Sequence, residues 1–215
     1  MLRIYETFLS LQGESSHAGK VCFFIRLAGC NLRCSYCDTC KAQPMDGGTL
    51  RSVEELVQMA LDSGAEVVEV TGGEPMLQAE CVTLLQKLLD AGKTVLMETN
   101  GSVPLDAVPE NVCRIIDWKL PSSGMQQEMC RENFRNLRRH DEVKFVIGSR
   151  EDFLAAKAVV EEFSLHRMTD HILYSPVWGA VAFADLAAWI IAEKMPGQMQ
   201  LQMHKLIWGA AAEGV

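Results

Sequence analysis

The sequence predicts an α/β fold, a partial (β/α) barrel of about six mainly parallel strands. Three observations predict it. Short, nearly continuous apolar runs rich in β-branched residues recur along the chain, segments of helical periodicity separate them, and polar motifs with glycine or proline follow most of the runs directly. Strand–helix alternation builds βαβ units, so the strands lie parallel under covering helices. A doubly wound open sheet satisfies the same pattern and stays open as the alternative. No repeat, linker or low-complexity tract interrupts residues 1–215, and one domain is expected throughout.

The elements follow in order. Cys22–Leu27 reads as a strand that is apolar except for Arg26 and leads into a cysteine-rich loop. Ser52 followed by Glu55 gives a capping box, which starts a helix over Val53–Asp62. The strand Val67–Val70 runs into T-G-G-E-P (Thr71–Pro75), where two glycines let backbone approach a ligand, and a helical pattern covers Leu77–Ala91. Thr94–Met97 leads to E-T-N-G (Glu98–Gly101), and Val112–Trp118 to K-L-P-S-S-G (Lys119–Gly124). Helix Met129–Arg138, strand Glu142–Ile147, helix Asp152–Phe163, strand His171–Tyr174 with S-P-V-W-G (Ser175–Gly179), and helix Phe183–Lys194 complete the chain. Each polar motif taken alone reads as a turn. Their recurrence at strand ends predicts one bowl, because ligands of parallel α/β folds gather at the carboxyl edge.

Chemistry enters with four cysteines inside C-N-L-R-C-S-Y-C-D-T-C. Cys30, Cys34 and Cys37 have the spacing C-x3-C-x2-C, and three thiolates on a four-iron cubane leave one iron open to another ligand. Tetrahedral zinc usually takes two short ligand pairs separated by a longer stretch, and no second such pair occurs elsewhere in the sequence. An electron carrier closed by Cys40 stays open, although Lys41 stands where the bacterial ferredoxin run has proline.

Composition limits the partners. A formal charge of −8 excludes a general nucleic-acid surface, and the arginines between Arg131 and Arg139 read as a solvated helix face. No segment has the ~18 apolar residues of a membrane span, and the N-terminus lacks a signal peptide's apolar core. Cytoplasmic placement is expected, since Cys22, Cys81, Cys113 and Cys130 are scattered through apolar stretches as reduced core residues. His166, His171 and His204 show no ligand spacing and read as structural; Trp189 reads as core or dimer interface.

Cys30, Cys34 and Cys37, followed at the next strand edge by Gly72-Gly73-Glu74-Pro75, resemble the radical S-adenosylmethionine (SAM) enzymes. Within that superfamily, L-Q-G-E (Leu11–Glu14), the run Phe24–Thr39, T-G-G-E-P, E-T-N-G, P-S-S-G and V-K-F-V-I (Val143–Ile147) resemble the 7-carboxy-7-deazaguanine synthases. The likeness continues to Q-L-Q-M-H-K-L-I-W (Gln200–Trp208). The resemblance implies a trimmed radical SAM core and conversion of 6-carboxy-5,6,7,8-tetrahydropterin to 7-carboxy-7-deazaguanine with loss of ammonia, in queuosine and 7-deazapurine formation. It implies a [4Fe–4S] cluster on the three cysteines, SAM chelated at the open iron, and a 5′-deoxyadenosyl radical that abstracts a substrate hydrogen.

The same resemblance implies the site residues. Gly73 and Glu74, then Asp117, Trp118 and Lys119, then Ser175, Pro176, Val177 and Trp178 surround the cofactor. Leu11, Gln12, Gly13, Glu14, Arg26 and Thr71 bind the substrate. Arg26 suits a bidentate pair with its carboxylate, and Gln12 and Glu14 suit the donor–acceptor edge of a pterin. Thr39 is implied as a ligand of Mg2+, a cation that prefers oxygen, with Asp38 behind it or capping the loop. Ser15 stands where the family commonly has glycine. A flavodoxin-like reductant and a homodimer are further implications. A glycyl-radical-enzyme activase shares the cysteine spacing and is the enzyme alternative, although Leu11–Glu14 speaks for a small-molecule pocket.

Overall fold

The computed structural model describes residues 1–215, and its strands join one nine-stranded sheet. The strands are β1 (Leu2–Leu11), β2 (Val21–Leu27), β3 (Thr49–Arg51), β4 (Val67–Gly72), β5 (Thr94–Thr99), β6 (Cys113–Trp118), β7 (Glu142–Ile147), β8 (His171–Pro176) and β9 (Gln198–Met199). Their order is β3-β1-β2-β4-β5-β6-β7-β8-β9. From β2 onward all pairs are parallel, while β1 runs antiparallel to β2 and β3.

This order decides between the two architectures the sequence left open. After β2 every crossover moves to the next strand in the same direction, whereas a doubly wound sheet reverses and places helices on both faces. Winding in one direction leaves one face for helices and the other for a bowl. β3 and β9 remain edges, so the sheet is a partial, mainly parallel barrel.

Six strands coincide with the expected runs, and three are additional. β1 is hidden in the sequence because its pairing register slips between Ile4 and Glu6, which breaks the period-two pattern of a half-buried strand. β3 is wholly exposed and β9 has two residues, so neither carries a pattern.

The helices are α1 (Val53–Asp62), α2 (Cys81–Asp90), α3 (Arg131–Arg135), α4 (Arg150–Glu162), α5 (Leu165–Met168), α6 (Phe183–Ala192) and α7 (Met203–Trp208). The capping box forms as expected: Glu55 N donates to Ser52 Oγ at 3.1 Å and Ser52 N to a Glu55 carboxylate oxygen at 2.7 Å. α2 starts later than the pattern implied, because Pro75–Leu77 forms a separate single turn. α3 is shorter than Met129–Arg138. It ends at Arg135 with Asn136 as its C-cap, and within it Asn133 turns its amide to the carbonyls of Gly101 and Val103.

The two faces of the sheet differ. Phe23, Ile25, Val68, Val70, Val95, Met97, Val143 and Phe145 point to the helices and form the main core. On the concave face, Cys22, Phe24, Val67, Leu96 and Ile115 make a small apolar floor toward the amino ends of the strands. Nearer the carboxyl ends that face turns polar, with Arg26, Thr71, Glu98, Asp117 and Lys144.

Candidate active site

A cavity of about 510 Å³ opens at the carboxyl edge of β2, β4, β5, β6 and β7. Cys30, Cys34 and Cys37 line it, from the loop that follows β2. That loop is tied on two sides. Cys30 N donates to Gln43 O at 3.1 Å, while Ser35 N and Oγ reach the carbonyls of Ser123 and Ser122 at 3.1 and 2.6 Å, which explains the P-S-S-G motif. No three His, Cys, Asp or Glu side chains converge on a single-ion site. Thiolates on separate irons of a cubane do not need to converge in that way.

T-G-G-E-P packs directly on this loop. Glu74 N donates to Gly29 O at 2.8 Å, and a Cβ on Gly73 would lie 2.2 Å from Gly29 O and 2.7 Å from Cys30 Cβ. Only glycine permits that approach. The fully buried Glu74 carboxylate turns away from the cavity and accepts from Thr99 Oγ1, Asn100 N and Met76 N, although burial pushes its pKa upward. Asn100 in turn directs Nδ2 at Cys30 Sγ (3.7 Å) and Asn31 Oδ1 (3.1 Å). Glu74 and E-T-N-G therefore brace the first cysteine.

The β6 edge supplies a charged wall. Lys119 Nζ donates to Asp117 Oδ2 at 2.7 Å, and both line the cavity. Burial alone lowers the Lys119 pKa, but Asp117 and the Cys34 sulfur outweigh it and the net shift is upward. Trp118, expected beside them, packs into the core instead, edge-on to Phe134 with ring centroids 4.6 Å apart. Side chains alternate along a strand, so residue 118 takes the helix face when 117 takes the bowl. Val177 and Trp178 line the cavity, while Ser175 and Pro176 are buried at the end of β8.

A second cavity of about 340 Å³ adjoins the first, lined among others by Leu11, Gln12, Gly13, Glu14 and Arg26. Glu14, Arg26, Asp38, Thr39 and Glu98 border both. Lys144, in the wall of the first cavity and 6% exposed, pairs with two of these shared residues: Nζ lies 2.7 Å from Glu14 Oε2 and is paired also to Glu98. Burial lowers the Lys144 pKa, but the two carboxylates more than reverse this and raise it well above the usual lysine value. Burial likewise raises the Glu14 carboxyl, and Lys144 overcomes it so that the net shift is downward.

Arg26 Nε donates to Glu6 Oε1 at 2.8 Å, and Thr71 Oγ1 to Glu98 Oε2 at 3.3 Å. Thr39 Oγ1 donates to Asp38 Oδ1 at 3.1 Å, and Asp38 pairs with Lys205 at 2.6 Å. The C-terminal motif closes the seam: Gln202 Nε2 donates to Glu14 Oε1 at 2.8 Å and Gln200 Nε2 to Ser15 O at 2.9 Å. Ser15 adopts φ +63°, the left-handed region that glycine enters freely and serine rarely adopts.

Reasoning from sequence missed several lining residues. Lys144 appeared only inside V-K-F-V-I, and Glu98 only inside E-T-N-G. His204, read as structural, lines both cavities and sits where a Cβ on Gly13 would lie 2.5 Å from its Nδ1. Lys205 gave no signal before its pairing with Asp38 across 167 positions.

The walls fit a cluster and a polar cofactor. Three thiols face one cavity, Gly73 lines it while its backbone packs on the cysteine loop, and the buried Asp117 Oδ1 and Tyr36 hydroxyl have no protein partner. The comparisons agree with this chemistry. The Radical SAM superfamily profile matches residues 24–176, and the chain is a member of that superfamily.

A 7-carboxy-7-deazaguanine synthase of Chlorobaculum tepidum is 42% identical, covering 100% of this chain and 97% of the relative. One of Methanospirillum hungatei is also 42% identical, covering 96% and 85%. The chain therefore belongs to the 7-carboxy-7-deazaguanine synthase family, as an enzyme with a [4Fe–4S] cluster and SAM. The crystal structure of QueE from Escherichia coli has the same fold, with TM-score 0.77 over 94% of each chain at 23% identity. The activase and electron-carrier readings are not favoured by these matches.

Proposed function

We propose that this enzyme converts 6-carboxy-5,6,7,8-tetrahydropterin to 7-carboxy-7-deazaguanine with loss of ammonia. The observation that carries the reading is the seam: one cavity lined by the cysteine loop opens beside another lined by Gln12, Glu14 and Arg26, and Glu14, paired with Lys144, borders both. Cys30, Cys34 and Cys37 would hold the cluster, which with SAM beside it would supply one-electron chemistry.

The chain's own residues bind and orient. Asp117, Lys119 and the backbone at Gly73 hold polar groups of the cofactor, and Ser175, Pro176, Val177 and Trp178 close its far side. Arg26, held at Nε by Glu6, keeps its terminal nitrogens for a carboxylate. Glu14, ionised beside Lys144, accepts ring N–H donors, and Gln12, Gly13, Leu11 and Thr71 complete the substrate wall. Thr39, with Asp38 behind it, would offer oxygen to Mg2+.

The reading includes one domain over residues 1–215, supported by the continuous sheet, and a reducing cytoplasmic setting, supported by eight free cysteines. No helix is long and apolar enough to cross a membrane. A flavodoxin-like reductant and a homodimer complete the proposal. Exposed Leu206, Ile207 and Trp208 on α7 are consistent with an apolar contact. The test is anaerobic reconstitution, incubation with SAM, reductant and the carboxypterin, and mass spectrometry. Formation of 7-carboxy-7-deazaguanine supports the reading; a reduced, SAM-competent protein that leaves the pterin unchanged refutes it.

A further inference from the structure

At the floor of the second cavity stands a carboxyl group that the fold does not need. Glu69 lies mid-strand in β4, 3% exposed, and its register partners are Phe24 on β2 and Leu96 on β5. An aliphatic residue there would extend the apolar floor of Phe24, Val67, Leu96 and Ile115. A buried polar group in such a layer is costly unless it is satisfied. Glu69 Oε2 accepts from Gln12 Nε2, and Gln12 Oε1 accepts from Glu14 N at 3.0 Å, so both ends of the Gln12 amide are fixed. The hydrogen bond from Gln12 occupies Oε2 alone, and Glu69 lines the cavity with Oε1 uncommitted.

We propose that Glu69 is a specificity-determining residue of the pterin site, fixing Gln12 through Oε2 and presenting Oε1 to the ring carbonyl. The inference rests on the pterin reading above. Burial, and next the Glu98 carboxylate, push the Glu69 pKa upward against the pull of Lys144, which favours the neutral acid. A neutral acid donates from one oxygen and accepts at the other, which suits Gln12 on one side and a carbonyl on the other. Glu14, ionised beside Lys144, offers acceptors only and suits ring N–H groups. Carboxyls driven apart by their surroundings take different tasks.

The test uses the full-length, anaerobically reconstituted protein and two unreactive ligands. These are oxidised 6-carboxypterin and its 2,4-diamino analogue, in which an amino group replaces the ring carbonyl. Wild type is expected to bind the carboxypterin roughly tenfold more tightly than the analogue, since a site built for one hydrogen-bonding edge rejects another. Glu69→Leu is expected to lose roughly tenfold in carboxypterin affinity and to lose the preference, with iron content and SAM binding unchanged. Glu69→Gln, whose amide still donates, stays within about threefold of wild type and keeps the preference.

Wild-type affinity in Glu69→Leu overturns the proposal, as does Glu69→Gln failing as badly as Glu69→Leu with its cluster intact. If Glu69→Leu does not fold, absence of a ligand preference in wild type or Glu69→Gln overturns it instead. Should wild type neither bind nor turn over a carboxypterin, the pterin reading itself fails. Normal wild-type turnover with normal Glu69→Leu affinity sinks the inference alone.

Discussion

Lys144→Met gives the sharpest test of how the site is held. The substitution keeps most of the aliphatic volume and removes the ammonium between Glu14 and Glu98. Lys144 is 6% exposed and Glu14 17%, so the Glu14 carboxylate is left nearly dry and without a cation. Removing one partner of a buried pair costs about 3–5 kcal/mol. Glu98 is 29% exposed and better screened, so the lower end applies, about 3 kcal/mol. For a chain of this size that is roughly 6–12 °C in Tm.

The sign of the pH dependence follows from the two shifts. The Glu14 pKa lies below 4.5 in the folded wild type, so its contribution is present above 4.5 and lost as pH falls through the folded value. The Lys144 pKa lies above 10.5, so its contribution is present below 10.5 and lost at still higher pH. Wild type is therefore flat in this respect between roughly pH 5 and 10. Without Lys144, burial lifts the Glu14 carboxyl above its ordinary value, and the variant regains stability as pH falls and the acid takes up its proton. Thermal unfolding by circular dichroism at pH 8 and pH 5.5 is the assay. A loss under roughly 2 °C at pH 8, or the same loss at both pH values, would refute the burial argument.

Three further outcomes are expected. Gly73→Ala places a methyl group 2.2 Å from Gly29 O, so iron incorporation falls and SAM binding weakens roughly tenfold; wild-type iron content with wild-type SAM affinity contradicts this. Cys37→Ala abolishes the cluster absorbance whereas Cys40→Ala keeps it along with its response to SAM, and an iron loss in Cys40→Ala equal to that in Cys37→Ala would show a closed cluster. Thr39→Ala removes stimulation by Mg2+ while iron content is unchanged; equal stimulation in the variant rules the hydroxyl out as a ligand.

Much of the framework was legible in the residues because it is local. Cysteine spacing, the Ser52–Glu55 capping box and the six parallel-strand runs are written within a few positions of each other, where sequence separation and spatial distance coincide. Trp118 shows where local reading stops: its motif neighbours face the bowl, and strand alternation sends its ring to the opposite face. β1 was unreadable for a related reason, since one slip of register erased the period that marks a strand.

By itself, then, the sequence determined the α/β class, the three-thiol loop and the order of polar motifs along the strand edges. The one-way winding of the sheet, the meeting of Lys144 with a glutamate 130 positions away, and the place of the buried Glu69 beside Gln12 came from the three-dimensional packing alone. Charge and burial at such points depend on which strands become neighbours. That is fixed by packing of the whole sheet, and no window of the chain contains it.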